Sequence, residues 1–369
     1  MANDVLDFTP SDPLGSDFRG AVQAAITQFL EARNHELTAI GDELALPLEL
    51  AKTFTGGGKR VRPAFGYWGR IAAGGSPDDG ESLVRAAASL DMLHVSALMH
   101  DDVMDDSDTR RGVPAAHLQF ADLHRSRGGR GSTDAFGRAG AILLGDLLLV
   151  WSEQMLSTSG LPAQELDRAR PLIEAMRTEV TCGQFLDVIA QSAPATADLE
   201  EAIATANRVV EYKTNRYTVQ RPLQFGAALG GADEELLEQL ALFASPIGRA
   251  FQFRDDLLGI FGDEQLTGKP AGDDLREGKR TVLVAHALAA APKDQAAELD
   301  AMLGNPQLDA AAVERGRQII TASGAKESVE QIIDQAYDTA IAALDKASIT
   351  DEGRTALTAL AQACVRRDY

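Results

Sequence analysis

An apolar segment that ends in a cluster of acids covers residues 90–112: Leu90-Asp-Met-Leu-His-Val-Ser-Ala-Leu-Met-His-Asp-Asp-Val-Met-Asp-Asp-Ser-Asp-Thr-Arg-Arg-Gly112. Asp101 and Asp105 are four residues apart, so on a helix they share one face with about 5–6 Å between their Cβ atoms. Like charges at this spacing, at a helix end where the helix dipole also disfavours anions, indicate a compensating cation. Carboxylate oxygens suit Mg²⁺, which completes its shell with water and substrate phosphate.

A second segment repeats this arrangement: Phe251-Gln-Phe-Arg-Asp-Asp-Leu-Leu-Gly-Ile-Phe-Gly-Asp263. Basic side chains follow both acidic helix ends, at Arg110 and Arg111 in the first case and at Lys269 and Lys279 in the second. Permanent positive charge of this kind suits phosphate oxygens. The two segments together predict a substrate with a polyphosphate group that Mg²⁺ bridges to carboxylates and that Lys and Arg hold.

A third segment, Gly56-Gly-Gly-Lys-Arg-Val-Arg-Pro63, combines three glycines with three cations. Glycine allows backbone N–H groups to approach an anion closely, and Lys59, Arg60 and Arg62 add charge. A basic turn of this kind on its own is more often an ordinary surface turn. Its value as a binding element depends on the two acidic segments.

The composition excludes several classes of function. The 369 residues include 35 Lys and Arg against 55 Asp and Glu, a net charge of −20, which argues against nucleic-acid binding and against adsorption on anionic lipid. Two cysteines fit a reducing compartment. The N-terminal residues lack a signal-peptide pattern, and the longest apolar run, 141–151, is broken by Asp146 and is too short for a stable membrane span. We therefore expect a soluble cytoplasmic protein.

Apolar residues recur at three- and four-residue spacing from residue 19 onward, in segments rich in Ala, Leu, Glu and Gln, which is typical of amphipathic helices. Alternating strand patterns are nearly absent. The sequence predicts an all-α fold, with a flexible tail over residues 1–15 and one helical domain over residues 16–369.

These motifs resemble those of the trans-type isoprenyl diphosphate synthases, the polyprenyl synthetases, and most of all the bacterial geranylgeranyl diphosphate synthases. The family's Gly-Gly-Lys-x-x-Arg-Pro element matches residues 57–63, and its Asp-Asp-x-x-Asp and Arg-Arg-Gly elements match residues 101–105 and 110–112. A Gly-Gln-x-x-Asp element matches residues 183–187, and a Lys-Thr pair matches Lys213 and Thr214. The resemblance covers residues 20–369 and implies a helical bundle around a deep central cavity, usually as a homodimer.

The resemblance also implies roles for individual residues. Asp101, Asp105 and Asp255 would hold Mg²⁺ ions on the diphosphate of an allylic substrate (dimethylallyl, geranyl or farnesyl diphosphate). Other side chains would neutralise that diphosphate: Arg110, Lys213, Lys269 and Lys279. A separate set would hold isopentenyl diphosphate: Lys59, Arg62, His94 and Arg111. Gly58, Thr214 and Gln252 complete the substrate-binding residues, and the implied product is a trans-polyprenyl diphosphate.

The sequence departs from the family at the second acidic motif, which is usually Asp-Asp-x-x-Asp in the family. Here Gly259 takes the place of the third aspartate. Asp263 lies about 80° around the helix from Asp255 and is an imperfect replacement. Asp274 matches a family aspartate five residues before Lys279, and the choice between Asp263 and Asp274 stays open at this point.

Small residues below the first motif bear on product length. Ala97 lies one turn below Asp101, with Ser96 beside it, and in the family small residues here let the growing chain pass. Leu93 and Leu90 lie deeper, with Leu90 about 16 Å below Asp101 at 1.5 Å per residue, close to the reach of a twenty-carbon tail. The expected product is geranylgeranyl diphosphate, with a longer polyprenyl diphosphate as the alternative.

Two other functions compete with this interpretation. A terpene cyclase of the same fold normally lacks the isopentenyl diphosphate site, so Lys59, Arg62 and Arg111 argue against it. A non-catalytic partner subunit of a related synthase tends to lose its aspartates, whereas here the first motif is complete. The sequence does not determine the allylic primer or the pathway that the product serves.

Overall fold

The helix that carries the first acidic segment, α4, spans Gly80–Met104. It is seen in a computed structural model of the protein that describes residues 6, 8–76, 79–192, 198–262 and 272–366. Its buried positions include Leu83, Leu90 and Met99. Asp105 caps its C-terminus by donating its backbone N–H to the carbonyl of Asp101, at 2.8 Å. The acids therefore lie at a helix end, as the sequence predicts.

The first half of the chain is helical around one small hairpin. Its helices are α1 (Ser16–Ile40), α2 (Ala45–Thr55), α3 (Val61–Ala72), α4, α5 (Ala116–Ser126), α6 (Thr133–Ser157) and α7 (Ala163–Ser192), with a 3₁₀ turn at Asp42–Leu44. Strands β1 (Thr109–Arg110) and β2 (Val113–Pro114) pair antiparallel. The two residues between them, Arg111 and Gly112, have φ of 55° and 76°, as a type I′ hairpin turn requires.

The second half contains further helices and a stretch of π-helix. The elements are α8 (Leu199–Val209), the π-helix (Val210–Gln220), α9 (Arg221–Leu229), α10 (Glu234–Phe261), α11 (Asp273–Glu277), α12 (Val282–Ala290), α13 (Lys293–Met302), α14 (Ala310–Ala322), α15 (Ala325–Leu344) and α16 (Asp351–Val365). The predicted all-α class is confirmed. The π-helix was not predicted, because its i→i+5 bonding leaves no distinct pattern of apolar residues; such segments are frequent at functional sites.

A continuous cluster of buried apolar side chains joins these helices. Helix α4 packs along α6, α3 along α9, and α10 along α15. The largest fully buried side chains include Trp68, Phe65 and Phe225. Bulky side chains thus fill the core between the helices, whereas Asp101 at the acidic end of α4 lines a cavity.

The segment before α1 differs from the expected loose tail where the structure describes it. Phe8 is buried, and its ring makes edge contacts with Phe18 and Tyr67 at centroid distances of 5.2 Å each. A buried aromatic ring is a strong apolar anchor, which a composition rich in Pro and acids does not reveal. The domain boundary at residue 16 stays a prediction.

Helix α6 has an exposed apolar face. Ile142, Leu143 and Val150 on this helix are 44 %, 66 % and 62 % exposed, and Phe185 and Ile189 on α7 are similarly exposed. Among the described residues, α6 is the one helix long and apolar enough to cross a membrane, with a mean hydropathy of 1.4 and 39 % of its apolar stretch buried. Core helices of soluble proteins meet the same criterion, so length and composition alone do not place this helix in a membrane.

Candidate active site

Asp101 is held by two neighbours at the upper end of α4. Its Oδ1 accepts hydrogen bonds from Gln184 Nε2 at 2.9 Å and from Lys213 Nζ at 3.1 Å. Burial opposes ionisation, but the positive charges of Lys213, Lys279 and Arg110 outweigh it and lower the pKa of Asp101 to about 2. Asp101 is therefore a fixed anion at neutral pH.

The pKa of Asp105, one helical turn after Asp101, shifts in the opposite direction. Burial and the charge of Asp101 raise its pKa to about 6, despite the opposing effects of Lys279 and Lys213. Burial makes the largest contribution to this shift, and repulsion from Asp101 on the same helix face adds to it. A divalent cation between them would remove that repulsion, so the pair is suited to a metal ion.

The neighbouring Asp102 has a role that the sequence did not reveal. Its side chain is fully buried, and its Oδ1 accepts hydrogen bonds from Arg110 Nε, at 2.8 Å, and from Arg110 Nη2. Arg110 Nη2 lies 3.7 Å from Asp101 Oδ2. Asp102 thus fixes the guanidinium of Arg110 at the cavity edge. The one sequence signal for this role is that adjacent acids on a helix point in different directions, so that one can be buried while its neighbour faces the cavity.

Lys213 reaches the site from the π-helix. Its Nζ lies 2.5 Å from Asp187 Oδ2 as well as 3.1 Å from Asp101. Burial disfavours its charge, yet Asp101 and Asp187 raise its pKa. Gly183 on α7 allows the backbones to meet, since a Cβ there would lie 2.6 Å from Lys213 Cα. The glycine of the Gly-Gln-x-x-Asp element is therefore needed for close helix packing.

A chain of polar contacts links the π-helix to α10. Thr214 Oγ1 donates to Gln252 Oε1 at 2.5 Å, and Gln252 Nε2 donates to Asp256 Oδ1 at 2.7 Å. Burial raises the pKa of Asp256 well above its usual value. Asp255, the preceding residue, is half-buried and lines the cavity. These bonds anchor Thr214, Gln252 and Asp256 to one another, while Asp255 faces the space between the helices.

Asp274 fills the place of the missing third aspartate. It is 8 % exposed, and a Cβ on Gly259 would lie 2.5 Å from its Cγ. Lys279 Nζ lies 3.6 Å from Asp274 Oδ1 and 2.5 Å from Glu277 Oε2. Although burial opposes its charge, these carboxylates hold the pKa of Lys279 well above the usual value. Asp263, the other candidate, and Lys269 lie outside the described residues.

A second set of cations lies beside the first. Arg62 stands 4.2 Å from the centre of the Tyr217 ring and donates to Thr218 Oγ1 at 2.7 Å. His94 Nδ1 lies 3.3 Å from the Tyr217 hydroxyl. Burial, together with Arg62 and other guanidinium groups, holds the pKa of His94 well below its usual value. His94 is therefore neutral at physiological pH.

Two adjoining cavities contain these groups. The larger, about 510 Å³, is lined by Asp101, Lys213, Asp255, Asp274 and Lys279 among others. The wall of the smaller, about 360 Å³, includes Gly58, five cations and, among the described residues, a single acid, Asp91; the cations are Lys59, Arg60, Arg62, Arg110 and Arg111. Both include Lys59, Arg62, His94 and Arg110 in their walls. An anion with a metal ion fits the first cavity, and an anion alone fits the second.

Comparisons with known proteins identify the family. Residues 46–320 match the model of the polyprenyl synthetase family. The chain belongs to this family. A geranylgeranyl pyrophosphate synthase from Corynebacterium glutamicum, solved with isoprenyl diphosphate and magnesium, is 42 % identical, with a TM-score of 0.89 over 95 % of this chain and 98 % of that one.

Curated relatives of this polyprenyl synthetase differ in their named products. A geranylgeranyl diphosphate synthase of Saccharolobus solfataricus is 31 % identical over 85 % of this chain and 88 % of its own. A nonaprenyl diphosphate synthase of Mycobacterium tuberculosis is 29 % identical over 95 % of this chain and 94 % of its own. The protein is an enzyme, a prenyltransferase of the isoprenoid synthase fold.

The structure of the synthetase brings most predicted site residues together. Asp101, Arg110, Lys213, Thr214, Gln252, Asp255 and Lys279 line the larger cavity, and Gly58 and Arg111 line the smaller one. Asp105 is absent from both walls, although its carboxylate interacts with Lys279 and Lys213. Of the predicted product-length residues, Ala97 lines the larger cavity, whereas Ser96, Leu93 and Leu90 are buried and line neither of the two.

The site residues of the synthetase fit a divalent cation that substrate helps to hold. No three His, Cys, Asp or Glu side chains in the described part of the chain form a ready-made ion site. Several carboxylates line the larger cavity, among them Asp101, Asp187, Asp255 and Asp274, and the charge of Asp101 adds to the raised pKa of the nearby Asp105. Mg²⁺ suits such a site, since it often uses only one or two protein carboxylates together with substrate phosphates.

Proposed function

We propose that this prenyltransferase condenses isopentenyl diphosphate with an allylic diphosphate to form a trans-polyprenyl diphosphate. One observation carries the proposal: two cation-lined cavities adjoin, and among the described residues only the larger has several carboxylates in its wall, as a metal ion requires. The allylic diphosphate would occupy the larger cavity and isopentenyl diphosphate the smaller. The walls that the cavities share would bring the reacting carbons of the two substrates together.

The protein's residues would act mainly by position and charge. Lys213 and Arg110 are fixed by Asp187 and Asp102, so they are oriented before the leaving diphosphate gains charge, which is the condition for electrostatic catalysis. The C–O bond of the allylic substrate breaks, and the double bond of isopentenyl diphosphate attacks the resulting cation. A proton then leaves the new carbon skeleton for the departing diphosphate.

Asp101, Asp105 and Asp255 would hold Mg²⁺ at the larger cavity. When bound, the metal neutralises charge that develops on the leaving diphosphate. Asp274 would support this site from α11, since it stands where a third aspartate of α10 would begin. The magnesium in the Corynebacterium glutamicum relative's structure supports the choice of metal.

We further propose geranylgeranyl diphosphate as the main product. Ala97 leaves the cavity wall open one turn below Asp101, and Leu90 and Leu93 are packed in the core beneath it. The named product of the 42 % identical relative agrees with this length. A longer product is the alternative, which the nonaprenyl diphosphate synthase relative supports.

The apolar face of α6 and α7 supports a homodimer. Exposed apolar side chains lie on both helices at Leu143, Val150, Phe185 and Ile189, here called the apolar stripe, and large exposed apolar patches mark protein interfaces. A second copy would cover the stripe, and the resulting dimer would be a soluble cytoplasmic enzyme.

The experiment that tests the function uses the purified chain with labelled isopentenyl diphosphate, Mg²⁺ and each allylic primer in turn. Elongation to a twenty-carbon diphosphate is expected, and EDTA should abolish it. Products beyond twenty carbons would support the alternative. Cyclised hydrocarbon without elongation would indicate a terpene cyclase, and no reaction with any primer would indicate a partner subunit.

A further inference from the structure

We propose that Gln23, on α1, is a positioning residue for the isopentenyl diphosphate site and acts through Arg60. The proposal rests on the proposed function, which assigns the smaller cavity to isopentenyl diphosphate. Gln23 belongs to none of the sequence motifs and lines neither cavity. Its connection to the site is a network of hydrogen bonds through residues 56–60, here called the glycine loop.

The glycine loop has a backbone that its surroundings must hold in place. Gly57, Gly58 and Arg60 have φ of 77°, 99° and 56°. Glycine adopts such angles freely, but a residue with a β-carbon rarely does and persists there only when other contacts fix it. Arg60 is also the residue immediately before α3, and its side chain makes no capping hydrogen bond to that helix. The contacts of its guanidinium must therefore hold its backbone conformation.

Arg60 contributes to the wall of the smaller cavity, but its guanidinium is engaged by other groups of the protein. Its side chain is 1 % exposed and pairs with Asp91, on α4, which is 5 % exposed. Its Nη2 also donates to Gln23 Oε1 at 2.5 Å and to the carbonyl of Thr55 at 2.7 Å. The charge of Arg60 is thus engaged by α1, α2 and α4. Lys59 and Arg62, by contrast, line both cavities.

Gln23 joins the two ends of the glycine loop through one atom. Its Nε2 donates to Thr27 Oγ1 at 3.2 Å, which orients the amide. Its Oε1 accepts from Gly57 N at 3.0 Å as well as from Arg60. An amide oxygen has two lone pairs, so both bonds can form together.

The loop in turn determines where Arg111 lies. Arg111 Nη1 donates to the carbonyls of Gly56 and Gly57 at 3.0 Å and 3.3 Å, and also to that of Phe54. Gly58 lies directly against the same guanidinium, since a Cβ there would be 3.1 Å from Arg111 Nη2. A shift of the glycine loop would therefore displace Lys59 and Arg111 together. The acidic end of α4 would keep its own contacts.

The test compares Gln23→Met with Gln28→Met in the full-length chain. Methionine keeps the length of the side chain but removes the acceptor, and Gln28 is an exposed glutamine on the same helix. Gln23→Met should raise the KM for isopentenyl diphosphate about tenfold, the size of one lost hydrogen bond to a charged group. The KM for the allylic substrate and kcat should stay within about twofold. Gln23→Glu restores an acceptor and should recover most of the loss.

The outcomes separate this proposal from a merely structural role. Equal constants for Gln23→Met and Gln28→Met would overturn it. So would a parallel change in both KM values and kcat, or a failure of Gln23→Glu to recover affinity while Gln23→Met has an unchanged Tm. A wild-type chain that elongates no primer would contradict the proposed function itself, whereas normal wild-type turnover with an unaffected Gln23→Met variant would contradict only the role of Gln23.

Discussion

The carboxylate of Asp274 lies against the α-carbon of Gly259, where the third aspartate of the second acidic motif would start. A Cβ at position 259 would be 2.5 Å from Asp274 Cγ and 2.9 Å from its Oδ1. Such contacts are too short for real Cβ atoms, so a side chain at position 259 and the carboxylate of Asp274 cannot occupy the same space. The departure from Asp-Asp-x-x-Asp is therefore matched by a carboxylate that α11 supplies from elsewhere in the chain.

This relationship predicts that the missing aspartate cannot be restored by substitution. Gly259→Asp should lower kcat/KM about tenfold or more, because Asp274 and its partner Lys279 must move. Gly259→Ala should cause a smaller loss in the same direction. Gly20→Ala is the matched control, since nothing lies within 4 Å of a Cβ there. Higher activity or tighter Mg²⁺ binding in Gly259→Asp would show that Asp274 does not occupy this role.

Asp102→Asn should reduce turnover and affect the binding of isopentenyl diphosphate little, because Arg110 is only one of five described Lys and Arg residues in the wall of the smaller cavity. The amide keeps the side chain's size but weakens the paired hydrogen bonds that orient Arg110, and charge-assisted bonds are about twice as strong as neutral ones. We expect kcat to fall about tenfold to hundredfold while the KM for isopentenyl diphosphate stays within about twofold. Steady-state kinetics with each substrate varied in turn measures both constants.

Asp106→Asn is the matched control for this prediction. Asp106 is in the same acidic cluster, but its side chain is 89 % exposed and lies 3.9 Å from its nearest basic partner, His117. Its φ of 52° suits asparagine. Comparable losses in both variants would mean that the general acidity of the segment matters, and not the fixation of Arg110.

The fold class and the chemical character of the site were predictable from the sequence for physical reasons. Helical spacing of apolar residues, as in α10, reports directly on which face is buried. Acids at the end of an apolar helix are unfavourable enough to indicate a cation. Both signals depend on residues that are close together in the sequence, so they can be recognised without the structure.

The contacts that tune the site were not predictable, because they join distant parts of the chain. The bond from Gln23 to Arg60 spans 37 residues, and the pairing of Lys213 with Asp101 spans 112. In the sequence Arg60 is one of three cations of the basic turn, whereas the structure pairs it with the buried Asp91. No spacing rule identifies such pairs, since they depend on how helices pack.

Mg²⁺ binding should weaken below about pH 6. The pKa of Asp105 is raised to about 6, so above this pH the carboxylate is ionised and ready to bind metal. Below it the metal must displace a proton, and the apparent affinity should fall by up to about tenfold per pH unit. Calorimetric titration of Mg²⁺ with an unreactive allylic diphosphate analogue between pH 5 and 8 measures this. Asp105→Asn should bind Mg²⁺ more weakly and lose the pH dependence; an unchanged slope in that variant would assign the titration to another group.

Ala97→Phe should shorten the product. An aromatic ring in the cavity wall one turn below Asp101 would block the path of the growing chain, so we expect fifteen-carbon or shorter diphosphates in place of twenty. Ala24→Phe, at an exposed position of α1, should leave the product length unchanged. Thin-layer or liquid chromatography of the dephosphorylated products distinguishes them. An unchanged product from Ala97→Phe would mean that the chain grows along another wall.

Leu143→Asp should separate the proposed homodimer into monomers. Leu143 is 66 % exposed on the apolar stripe of α6, and a charge buried there without a partner would destabilise the interface by several kcal/mol. Leu242→Asp is the matched control, because Leu242 is 67 % exposed on α10, outside the stripe. Sedimentation velocity should give a monomer of 39.3 kDa for the first variant and a dimer for the second. If both variants sediment as dimers, the contact between subunits lies elsewhere. If the wild-type protein binds to lipid vesicles as a monomer and Leu143→Asp does not, the apolar stripe faces a membrane.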